Sequence, residues 1–147
     1  MANAVYNYFK QGVMFGSYKL SSGQAATTPI YCSLVSNTYI VDVDTHVYRS
    51  SLTDIVTPSN FTAFFALSSP LVTTSATNNQ GVLDASDILM ANVTFGTSVR
   101  ACVLWASTPQ GAASDPLIAY IDFTTDQSVT AGTFQIQWAS GGILALT

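Results

Sequence analysis

A chain of 147 residues is long enough to form one domain and bury a sizeable core without metal or disulfide support. Charged residues make up only 8% of it, against about 25% in ordinary soluble domains. The net charge is −4 and the four lysines and arginines form no cluster, which argues against nucleic acid as a partner.

No apolar run approaches the roughly 18 residues of a membrane span, so no membrane partner is expected. The opening "MANAVYNYFKQGVM" has no basic start followed by an apolar core, so the expectation is a soluble protein made in a cytoplasm. Serine and threonine supply about a quarter of the residues, more than suits a helical protein, because their hydroxyls compete for backbone partners. So little charge suggests a surface covered by partners, the alternative being an ordinary β-rich protein working outside the cell.

Residues 3–13 carry the clearest helical pattern. Val5, Phe9 and Val13 recur at four-residue spacing with Tyr6 beside them, Asn3 stands where a cap would, and Gly12 or Gly16 can end it. The stripe must be buried against the domain's own sheet or against a neighbouring subunit. Val5, Tyr6, Phe9 and Val13 are therefore interface candidates, and residues 1–20 a candidate docking arm.

From Pro29 the signals are those of strands and turns. "PIYCSLVS" reads as a strand. In residues 37–56, Tyr39 to Val43 alternates, and Thr45 to Ile55 could form a short helix. "NFTAFFALSS" reads as a strand, "TTSATNNQG" as a polar tip, and "GVLDASDILMANVTFG" as one or two strands around a "DASD" turn. "SVRACVLWAS" is a strand and "TPQGAASDP" a loop. "PLIAYIDFTTDQSVTAGTFQIQW" reads as two strands joined by a polar turn, and "GGILALT" as a last strand. In the second of those two strands Phe134, Ile136 and Trp138 alternate with Thr133, Gln135 and Gln137, an outward face of neutral amides and hydroxyls suited to a partner. Strands at this spacing without helices between them predict a mainly β single domain, 1–147, a β-sandwich or barrel-like fold with a short N-terminal α-helix.

Little in the chain suggests chemistry. Asp42, Asp44 and His46 alternate in "DVDTH" and on a strand would share a face able to hold a divalent ion; the competing reading is a capping turn. Asp84 and Asp87 suit a turn better than acid–base work, and there is no nucleophile elbow or phosphate loop. No enzyme and no cofactor are expected. Cys32 and Cys102 read as buried free thiols, a disulfide requiring neighbouring strands. Arg100, inside an apolar strand, either pairs with an aspartate across the sheet, reaches a partner, or lies on the surface with a buried stem. The sequons at Asn60 and Asn92 read as chance in a Ser/Thr-rich chain.

The opening "MANAVYNYFKQGVM", then "PIYCSLVS" followed by "YIVDVDTH", and the ending "PLIAYIDF…GTFQIQW…GGILALT" resemble a group of small tailed-bacteriophage virion proteins. The resemblance covers both ends of the chain, about half its residues. The middle, from Ser50 to Asn79, departs from it, "NFTAFFALSSPLVTT" standing where a glycine-rich stretch belongs. It implies a virion structural role, a capsid decoration or cement protein on the outside of the head. Its partners would be the major capsid protein and copies of itself, after synthesis in the host bacterial cytoplasm. The rival readings are a tail or head–tail connector component, or a carbohydrate-binding host-recognition module using Tyr39, Tyr48 or Trp105.

Overall fold

The computed structural model describes residues 2–18, 20, 28–108, 111 and 113–146. Among these residues lie one α-helix, α1 (Asn7–Met14), and eleven strands. The strands are β1 (Ala4–Val5), β2 (Ile30–Val35), β3 (Ile55–Val56), β4 (Phe65–Ala66), β5 (Leu71–Ser75), β6 (Gln80–Asp84), β7 (Ile88–Val93), β8 (Val99–Ala106), β9 (Leu117–Gln127), β10 (Gly132–Ile136) and β11 (Leu144–Leu146). A six-stranded sheet runs β1-β9-β8-β2-β3, with β4 also paired to β2. Two smaller sheets, β10-β7 and β11-β6-β5, complete the set, and every pairing is antiparallel. The fold is mainly β and sandwich-like, with one short helix near the N-terminus.

Strands β2 and β8 form the centre of the large sheet and are buried almost throughout. From β8, Cys102, Leu104 and Ala106 point into one core, where Phe9 of α1, Leu83, Met90, Val93, Phe134 and Ile136 meet them. Ala101, Val103 and Trp105 point the other way, into a second core with Tyr6, Val35, Leu117 and Tyr120. Tyr39 and Leu52 lie over that second face, with Val41 and Val43 packed against it. Backbone bonds fasten this cover: the Leu117 N–H donates to the Val47 carbonyl at 2.9 Å and the Arg49 N–H to the Asp115 carbonyl at 2.8 Å. A sheet covered on both faces explains why "VRACVLWA" shows no polar alternation. The buried Trp105 indole N–H donates to the Ser33 hydroxyl at 3.0 Å, so that ring leaves no polar atom orphaned.

The N-terminus departs from its expected form. Residues 4 and 5 are not helical but pair with β9, Ala4 opposite Tyr120 and Val5 opposite Ala119. Asn3 is no helix cap; its side-chain oxygen accepts the Asp122 N–H at 2.9 Å. Tyr6, extended at φ −68° and ψ 137°, precedes a helix that starts at Asn7. An open strand edge on β9 outweighs the helical preference of a single additional turn. Gly16, at φ 67°, ends the helix as expected, its N–H bonding the Val13 carbonyl at 3.0 Å. Gly12 is needed for space: a Cβ there would lie 2.1 Å from the Tyr18 ring, which stacks on Phe9 at 5.4 Å between centroids.

The 116–138 stretch is not a hairpin. β9 pairs with β8 and β1, whereas β10 pairs with β7, so the polar turn carries the chain from one sheet to another. The expected polar tip at 73–81 is instead mostly strand, a β5–β6 hairpin turning at residues 76–79 with Asn79 at φ 51°. Only Phe65–Ala66 of "NFTAFFALSS" is strand, and the expected helix within 45–55 is a 3-10 turn at Arg49–Ser51. Part of the "TPQGAASDP" loop, residues 109, 110 and 112, lies outside the described residues, as do Met1 and Lys19 of the expected arm. Cys32 and Cys102 lie on adjacent strands as buried free thiols, with Leu34 directly opposite Cys102. A hydrogen bond with Cys102, together with burial, pushes the Cys32 thiol well up, so it stays protonated.

Phe9 is fully buried between α1 and the large sheet. Phe9→Ala is expected to lower unfolding stability by about 3–5 kcal/mol in chemical denaturation, and a loss below about 1 kcal/mol would show that the helix contributes little to the core.

Candidate functional site

Two aspartates, Asp115 and Asp122, are buried, and each is met by an arginine. Arg100 Nε and Nη2 donate to the two Asp122 carboxylate oxygens at 2.6 and 3.3 Å, and Nη1 lies 3.5 Å from Asp126. Of the sequence readings, pairing across the sheet is the one found. The guanidinium holds the Asp122 carboxyl far below its ordinary value of 3.8. Arg49 Nε donates to Asp115 at 3.0 Å, and its guanidinium carbon lies 4.5 Å from the centre of Trp105. Asp115, 1% exposed, also accepts the Thr108 N–H at 2.6 Å. Both arginines of the chain thus serve the fold.

Asp42, Asp44 and His46 do not form the ligand face that a strand would give. The Asp42 side chain accepts the N–H groups of Asp44 and Thr45, both at 3.0 Å, closing an Asx turn. Asp44 accepts the Asn7 side-chain amide, and His46 Nδ1 shares a 2.9 Å hydrogen bond with the Tyr39 hydroxyl. The segment is therefore a turn that locks the cover to α1, and no cluster of metal-ligating side chains occurs among the described residues. The Asp84 and Asp87 pair is divided as well: Asp84 accepts the Ala85 N–H at 2.9 Å, while Asp87 accepts the Trp138 N–H at 3.0 Å and the Gln135 amide at 3.3 Å.

The helical stripe is spent internally. Tyr6 and Phe9 are 0% exposed, and Val5 and Val13 pack partly buried against the first core. What the helix leaves outside is its tip: Met14 is 81% and Phe15 76% exposed. Thr133, Gln135 and Gln137 do face outward, with Phe134 and Ile136 buried between them. Of the rings considered as sugar platforms, Tyr39 and Trp105 are buried. Tyr48 packs edge-on against Tyr8 at 5.4 Å.

One surface escaped the sequence reading. Strand β5 is an outer strand of the β11-β6-β5 sheet, and Leu71 and Val72 are exposed on opposite faces of it. Beside it an apolar cleft of about 340 Å³ is lined by Phe9, Val13, Val72, Leu83, Leu144 and Leu146. The signal was in the charge pattern: residues 55–83 carry no charged side chain, and none follows Asp126. An outer strand with exposed apolar residues and no lysine or glutamate lacks the usual protection against pairing with other chains. No known protein family matches the chain, and neither a curated protein nor a solved structure is similar to it.

Asp122 has its pKa depressed by folding, so its contribution is present at neutral pH and is lost as pH falls. The melting temperature is expected to drop as pH is lowered from about 5 towards 2, and Asp122→Asn to flatten that dependence. An unchanged slope in the variant would remove Asp122 as the cause. Treatment with EDTA is expected to leave the melting temperature where it was; a clear fall would restore the metal reading of "DVDTH".

Proposed function

We propose that this chain is a capsid decoration or cement protein of a tailed bacteriophage. It binds the outside of the assembled head and strengthens contacts between major capsid protein subunits and with copies of itself. The observation that carries the reading is the apolar cleft beside β5 and β11, which no charged residue lines, together with the exposed helix tip at Met14 and Phe15. Such a surface loses little on leaving water, because no ion has to be desolvated when a partner covers it. The terminal motifs that resemble small phage virion proteins point the same way. Each copy needs only modest affinity, since contacts repeated across a lattice add through effective concentration. The protein acts structurally and not as a catalyst.

Copy number in purified virions tests this directly. A ratio near that of the major capsid protein is expected. A few copies per particle would move the chain to the tail or connector, and absence from virions would overturn the reading. Met14→Ser combined with Phe15→Ser is expected to weaken binding to undecorated heads by at least about tenfold. Its melting temperature should stay nearly unchanged, because both side chains are exposed.

A further inference from the structure

The crossover between β9 and β10 leaves a gap of its own. Among the described residues β10 pairs only with β7, and β9 beyond Asp122 has no strand partner on the side where β1 lies. The two strands are not hydrogen-bonded partners, and between them lies a cleft of about 350 Å³. That is within the range of about 300–1,000 Å³ typical of small-molecule sites. Its lining is unlike that of the apolar cleft: Gln127, Gln135 and Gln137 contribute amides, Phe123 and Trp138 contribute rings, and Asp122 is present.

The cleft offers no unpaired charge. Asp122 is held by two bonds from Arg100 and a third from the Thr124 N–H at 2.9 Å, with its side chain 2% exposed. The Gln127 amide nitrogen donates to the Thr125 carbonyl and hydroxyl at 3.0 and 2.9 Å, which leaves its oxygen free to accept. In Gln135 the nitrogen is turned to Asp87, again leaving the oxygen. Gln137 makes no side-chain hydrogen bond among the described residues, so it brings both a donor and an acceptor. Trp138 is fixed twice, its indole N–H to the Ser86 carbonyl at 3.1 Å and its backbone N–H to Asp87 at 3.0 Å.

We infer that this cleft is a binding site for a neutral sugar. Amides that accept and donate side by side match adjacent hydroxyls, each of which does both. A rigid indole bordering them suits the C–H face of a pyranose ring. Among the described residues no lysine or arginine lines the cleft, which selects against uronic and sialic acids. The site is built from β9, β10 and the two residues that follow it, apart from the β5, β11 and helix-tip surface assigned to shell docking, so it adds a recognition function to the structural one and stands or falls separately.

Tryptophan fluorescence tests it in the full chain. There are two tryptophans, and Trp105 is 2% exposed, so a ligand-dependent change reports Trp138. Glucose, galactose, mannose, N-acetylglucosamine and their disaccharides would be titrated, with glucuronic acid as the charged control. A saturable change is expected with at least one neutral sugar and none with glucuronic acid. Gln137→Ala and Gln135→Ala, both at exposed positions, should each weaken it about three- to tenfold while the melting temperature holds. No saturation by any of these sugars, equal binding of glucuronic acid, or affinity unmoved by both variants would overturn the assignment.

Discussion

Strands β2 and β8 are buried on both faces, and the rest of the molecule follows from having to cover them. A two-faced apolar sheet needs two covers, and this chain makes them from unequal material. On one side it uses regular elements, α1 and the two small sheets; on the other, a largely irregular segment spanning Tyr39 to Leu52. Irregular backbone carries polar groups that need partners, which is why the Asx turn at Asp42, the Val47 carbonyl and the Arg49 N–H are all engaged.

The same constraint disposes of the charge. Arg49 and Arg100 reach aspartates whose side chains are nearly inaccessible, and each pair joins segments distant in sequence. With both arginines used in this way, the outer surfaces of β5, β10 and β11 are left to threonine, glutamine, leucine and valine. A neutral exterior of that kind is a weak defence against association, and it becomes an advantage only where association is the purpose.

Much of the fold was legible because burial leaves a mark on composition. "VRACVLWA" and "IYCSLV" are apolar without alternation, as strands covered twice must be, and the alternation of β10 correctly placed Phe134 and Ile136 inside. Partnership was less legible. Alternation tells which way a side chain points but not which strand lies alongside, so β9 and β10 read as a hairpin when they belong to different sheets. A helical stripe likewise looks the same whatever covers it, and Tyr6 and Phe9 proved to be covered by their own domain. "DVDTH" misled for a local reason: an aspartate two residues before a free N–H closes a turn more readily than it waits for a metal. The exposed sheet at β5 was hidden in a Thr/Asn-rich stretch, although its lack of charge was visible throughout.

Pairing of β1 with β9 sets a timetable for biosynthesis. Ala4 lies beside Tyr120, so β1 has no place to settle until β9 has been translated. At about 5–20 residues per second, the ribosome keeps those residues waiting for roughly 6–23 seconds. During that interval the apolar residues of α1 lack the sheet they are meant to cover, and a chaperone or a neighbouring nascent chain has access to them. Completion of this edge is consequently a late event, tied to the emergence of β9 and not to that of β1.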